Sequence, residues 1–71
     1  MNHTELQKRL GVKIKALRST KNMTQNELAV ECDFEKASMS RIESGQTNPT
    51  VRTLYKISKA LDIPIVELFK D

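Results

Sequence analysis

The chain has 71 residues, enough for one domain and not two, and so small a core gains from a second copy; 38% hydrophobic and 30% charged residues exclude a disordered tail. One Cys and one His exclude an internal disulfide and the usual four-ligand zinc site, and no apolar run approaches the ~18 residues of a membrane span. The net charge of +3 is too small to name a polyanionic partner by itself, and the first residues hold no apolar signal core. Residues 1–71 are therefore expected to be one cytoplasmic domain without metal, cofactor or membrane.

Leu6, Leu10, Ile14 and Leu17 recur every three or four residues, one face of an amphipathic helix with Lys8, Arg9, Lys13 and Lys15 around its other sides. Thr4 and Gln7 suit a capping box at its start, which predicts helix 1 over 5–20. Asn22 fits the helix exit, and Thr24 with Glu27 forms a second capping box. Helix 2 is predicted over 25–32, with Leu28 and Ala29 turned inward. Met39 and Ile42 give the apolar side of helix 3, predicted over 36–43 and ended by Gly45, which accepts a left-handed backbone. A polar loop, Gln46 to Thr50, leads to Val51, Leu54, Ile57 and Leu61 at helical spacing, helix 4 over 50–61. Pro64 then opens a short helix 5 over 64–69, carrying Ile65, Leu68 and Phe69. The expected fold is all-α, with five helices around a core of Leu28, Ala29, Phe34, Met39, Ile42, Leu54, Ile57 and Leu61.

Charge is unevenly spread. Residues 1–26 carry six bases and one acid, 27–35 four acids, 36–59 five bases and one acid, and 60–71 one base and three acids. Positive charge therefore falls in two separate blocks. Helices 2 and 3 are each about two turns long and too short to stand alone, so they are expected to pack as a pair against helices 1 and 4.

The run Thr24-Gln25-Asn26-Glu27-Leu28-Ala29, followed by Met39-Ser40-Arg41-Ile42-Glu43-Ser44-Gly45 and Asn48-Pro49, resembles the Cro and phage-repressor type of helix-turn-helix family. The resemblance spans about residues 10–69. Gly11, Ile14, Leu17 and Arg18 look like its helix 1, and Leu54 to Leu61 like its helix 4. Among small members, the length and the Ser40-to-Gly45 segment are similar to restriction-modification controller proteins and antitoxin-type repressors.

The resemblance implies that helices 2 and 3 form the helix-turn-helix, with the second helix in the DNA major groove. Gln25 then matches a phosphate-holding position at the start of helix 2; read alone, it is a polar residue in a first helical turn. Lys36, Ala37, Ser38, Ser40 and Arg41 match the exposed side of the recognition helix. Lys and Arg can donate to guanine, Ala can meet a thymine methyl, and Ser can serve either base. The residues alone leave open which cation reads a base and which a phosphate. Asn48, with Thr47, Thr50 and Arg52, matches a loop that can reach a phosphate, although Asn48 or Thr50 equally suits a helix cap.

Arg18 and Glu43 match positions that pair across helices 1 and 3. Ile63, Ile65, Val66 and Phe69, with Tyr55, match a two-fold dimer interface suited to a palindromic operator. Two positions depart from the pattern. Asp33 stands where the turn usually has Gly and must accept a left-handed backbone, and Glu35 stands where a Ser, Thr or Asp usually starts the recognition helix, facing the phosphates.

The expected function is sequence-specific binding of double-stranded DNA as a homodimeric transcriptional regulator, a repressor or autoregulator. The alternative is a protein-interaction module, such as an antitoxin, that neutralises a protein partner. An enzyme is not expected, because the sequence has no phosphate-cradling Gly loop, no HExxH and no nucleophile beside a base. Cys32, with no base beside it, is expected to be partly buried and unreactive.

Overall fold

Asn2 accepts a hydrogen bond from the Glu5 backbone N–H at 2.9 Å and so caps the first helix, α1, His3–Thr20. In this computed structural model, which describes residues 2–70, α1 begins two residues ahead of its predicted start. Thr4 lies inside the first turn instead of capping it, because Asn2, a stronger cap residue, takes the Glu5 N–H and starts the helix two residues earlier. The capping box of Thr24 and Glu27 starts α2, Gln25–Glu31, in the expected way. Thr24 Oγ1 accepts from the Glu27 N–H at 3.0 Å, and Glu27 Oε1 accepts from the Thr24 N–H at 2.7 Å. That backbone bond holds the Glu27 carboxyl below its usual pKa. α3 is Lys36–Glu43 and α4 is Val51–Ala60, the latter capped by Thr50.

All four α-helices close in one way. Asn22, Asp33, Gly45 and Asp62 take φ values of 57°, 59°, 77° and 57°. The next residue's N–H then reaches back to a carbonyl five positions earlier: Met23 to Arg18, Phe34 to Ala29, Gln46 to Arg41 and Ile63 to Ser58, at 2.8–3.1 Å. These are Schellman closures, which satisfy the otherwise unbonded last carbonyls and turn the chain sharply. Met23, Phe34 and Ile63 then rest on the hydrophobic core, so three of the four turns are fastened by a bond and an apolar contact; the turn after α3 ends in exposed Gln46.

The described residues hold four α-helices and no strand, with a 3₁₀ helix, Ile65–Phe69, in place of the fifth α-helix. Five residues are too few to repay α-helix nucleation, and the tighter i→i+3 pattern, seen in the Glu67 N–H to Pro64 carbonyl bond of 3.0 Å, serves instead. Pro64 precedes the helix in an extended conformation and is not its first residue.

Leu10, Ile14, Leu28, Ala29, Met39, Ile42, Leu54, Ile57, Leu61 and Leu68 form the core together with Cys32. Two expectations are corrected. Phe34 is only half-buried, with the Lys56 ammonium 5.6 Å from its ring centre, and Leu6 is exposed. Burial, with Glu31 adding to it, pushes the Cys32 thiol from its ordinary 9.0 up to about 11. No helix among the described residues is long and apolar enough to cross a membrane.

α1 and α3 meet at their backbones. A methyl group added at Gly11 would collide with the Glu43 carbonyl oxygen and stand 2.7 Å from that of Ile42, so only Gly lets α1 lie against the end of α3. One α1 turn earlier, a methyl on Gly45 would stand 2.8 Å from the Lys8 Cα.

Candidate nucleic-acid interface

α3 divides cleanly around its axis. Met39, Ile42 and Glu43 are buried, Ser38 is half-buried, and Lys36, Ala37, Ser40 and Arg41 are exposed. At about 100° per residue those four exposed positions fall within an arc of about 140°. Among the described residues, no hydrogen bond or ion pair engages the side chain of Lys36 or Arg41. An ammonium and a guanidinium therefore stand in water on one face of a helix whose other face is fixed in the core. Together they offer up to eight N–H donors to a polyanion.

Glu35, the residue ahead of α3, accepts no capping hydrogen bond. The first N–H groups of α3 thus remain open at the same end as Lys36, with the Glu35 carboxylate beside them and favoured by the helix dipole.

Behind this face lies a polar junction of three elements. Arg18 donates from Nε to Glu43 Oε2 at 2.8 Å and from Nη2 to Glu43 Oε1 at 3.0 Å, a bidentate pair. The two side chains are 12% and 3% exposed, so the pair is withdrawn from solvent. Arg18 Nη1 also donates to the Met23 carbonyl at 2.9 Å, joining the pair to the turn before α2. Gln25, the first residue of α2, donates from Nε2 to Glu43 Oε1 at 3.1 Å. One carboxylate thus orients α1, α2 and α3 together.

The Gln25–Glu43 bond was not foreseen from the sequence, because it joins residues 18 apart that no local periodicity relates. An amide nitrogen has two N–H groups. One points to Glu43; the other has no hydrogen-bond partner among the described residues.

The remaining site residues lie elsewhere. Asn48 is exposed in the loop between α3 and α4, and Thr47 beside it is half-buried. Thr50 is the cap of α4: its Oγ1 accepts from the Thr53 N–H at 3.1 Å. Arg52 is exposed in the first turn of α4. Ile63 and Ile65 are half-buried on the core, while Val66 is exposed and Phe69, also exposed, lines a groove against α1. Tyr55 is exposed, with the Lys59 ammonium 6.0 Å from its ring centre. Among the described residues no group of three His, Cys, Asp or Glu could hold a metal ion.

Comparison with known proteins agrees with this geometry. A helix-turn-helix family model matches residues 14–68. The chain is 38% identical over 64 residues to an uncharacterized HTH-type transcriptional regulator, y4dJ, of Sinorhizobium fredii, covering 90% of this chain and 83% of that one. It is 39% identical over 64 residues to the control protein C.MunI of a Mycoplasma species, covering 89% and 86%. The crystal structure of the restriction-modification controller protein C.AhdI from Aeromonas hydrophila superposes with a TM-score of 0.86 at 31% identity, covering 87% of this chain and 94% of that one.

Proposed function

The chain belongs to the helix-turn-helix family, and from that premise we propose that it is a DNA-binding transcriptional regulator that reads its operator through α3. The observation that carries this reading is the exposed face of Lys36, Ala37, Ser40 and Arg41 on a helix whose opposite face is buried. In this reading Lys36 and Arg41 supply donors to base edges or phosphates, Ala37 supplies a methyl contact, and Ser38 and Ser40 supply short hydrogen bonds. Gln25, held by Glu43, donates its second N–H to a phosphate, and Asn48 reaches the backbone from the loop.

The regulator acts in the cytoplasm as a homodimer on an inverted repeat, with half-sites about one helical turn, ~34 Å, apart. Since Ile63 and Ile65 rest partly on the core, the dimer contact falls mainly on Val66 and Phe69, exposed side chains of the 3₁₀ helix, with Tyr55 of α4. Promoter occlusion, hence repression, follows directly from such binding.

Selection of duplexes from a randomised library at about 0.15 M salt, where purely electrostatic binding is weak, tests the reading. Enrichment of an inverted repeat is expected. A folded protein that enriches no sequence would refute it and leave a protein partner as the ligand of this surface.

A further inference from the structure

Glu35 stands at the head of the α3 face with a charge opposite to that of Lys36 and Arg41. Its backbone already belongs to the helix start: its carbonyl accepts from the Met39 N–H at 3.1 Å, and its φ and ψ of −73° and 149° are those of a cap residue. The side chain takes no part. Its carboxylate makes no capping hydrogen bond and, among the described residues, no ion pair. Lys56 of α4 is engaged instead with the neighbouring Phe34, 5.6 Å from the ring centre. An exposed acceptor of about four lone-pair sites is thus left unused at the end of the helix where base edges are met.

A carboxylate on such a face repels every phosphate, so it weakens binding to any duplex in which no donor meets it. The open N–H groups at the start of α3 would otherwise suit a phosphate, and Glu35 opposes that use of them. In the major groove DNA itself offers two kinds of donor, the N4 amino group of cytosine and the N6 amino group of adenine. They differ in what flanks them. The adenine amino group lies between thymine O4 and adenine N7, so a carboxylate there meets lone pairs on both sides. The cytosine amino group has the guanine acceptors on one side only. Lys36 follows Glu35 directly, with Cα atoms about 3.8 Å apart, and can donate to those guanine acceptors. An acceptor and a donor on consecutive residues therefore suit a G·C pair better than an A·T pair.

We infer that Glu35 is a specificity-determining residue: its carboxylate accepts from the N4 amino group of one cytosine in each half-site, and its repulsion of phosphate weakens binding to other sequences. The inference rests on the reading of α3 as the helix that meets the operator, and adds to it a base contact made from the residue ahead of the helix.

Duplex selection on the parent, Glu35→Ala and Glu35→Gln tests it. The parent is expected to enrich an inverted repeat with a cytosine at one position of each half-site, and Glu35→Ala to enrich the same repeat with that position unselected. Replacing this cytosine and its partner guanine should weaken the parent about tenfold and leave Glu35→Ala almost unaffected, while Glu35→Ala binds a non-operator duplex several-fold more tightly. Glu35→Gln is expected to move the preference at that position to adenine, which an amide pairs bidentately. Thermal midpoints should stay as they are, since the side chain is exposed and caps nothing. A Glu35→Ala protein that selects the same bases as the parent, with affinity raised evenly for all duplexes, would overturn the inference and leave the reading of α3 intact. A folded parent that enriches no sequence would overturn that reading, and the inference with it.

Discussion

Arg18 and Glu43, 25 residues apart in sequence, form a two-bond ion pair in which the carboxylate is 3% exposed. Removing either partner leaves a charge that water reaches poorly. Glu43→Ala is expected to cost about 3 kcal/mol of unfolding free energy, while Arg18→Met with Glu43→Leu costs less than the two single changes together, because an apolar pair leaves no unpaired charge. Urea unfolding of the parent, Glu43→Ala, the two single changes and the double change measures both. Additive losses would mean that the pair does not couple α1 to α3.

Lys36→Ala and Arg41→Ala are expected to act on DNA and not on the fold, since both side chains are exposed and unpaired among the described residues. Each should lower specific affinity by about 1–3 kcal/mol if it reads a base. A loss uniform across sequences, with a shallower salt dependence, marks a phosphate contact instead. Titration of each variant against the selected operator and single-base variants of it separates these roles.

The left-handed closures predict a sign. Asp33 holds φ at 59°, where a side chain with Cβ is strained and Gly is not. Asp33→Gly is expected to gain up to about 1 kcal/mol and Asp33→Val to lose about 1–2 kcal/mol, read as thermal midpoints. Asn22→Gly and Asp62→Gly should follow Asp33→Gly, since their φ values agree within a few degrees.

Cys32 gives a pH dependence. Its thiol is raised from 9.0 to about 11 by burial, with Glu31 adding to the shift, so the folded chain keeps a proton that the unfolded chain releases first. This contribution to stability is complete below pH 9 and falls away as pH rises towards 11. Stability measured across that window should decline more steeply for the parent protein than for Cys32→Ala. At pH 8 a disulfide reagent should modify the folded protein far more slowly than the unfolded one.

Much of this molecule was readable where the determinant is local. Thr24 and Glu27 fixed the start of α2 three residues apart, and Gly45 marked the end of α3, because caps and left-handed turns are written within a few residues. Local signals compete where two candidates are close together: Asn2 and Thr4 both suit a helix start, and only the folded backbone selects Asn2. The 3₁₀ helix was hidden because apolar residues at Ile65, Leu68 and Phe69 satisfy three-residue and 3.6-residue spacing almost equally over so short a run. The Gln25–Glu43 bond depends on which elements meet, a tertiary fact. Arg18 with Glu43 was within reach only through resemblance, since nothing local relates two charges 25 positions apart.

On α3 the side chains that hold the helix and those that would read DNA are almost separate sets: Met39, Ile42 and Glu43 on one side, Lys36, Ala37, Ser40 and Arg41 on the other, with half-buried Ser38 at the boundary. Descent can therefore alter the second set freely. A lineage exchanging those four residues would move to a new operator without passing through unstable ancestors. Divergence between duplicated copies of such a gene would then show first at these positions, while Gly11, Arg18 and Glu43 stayed as they are.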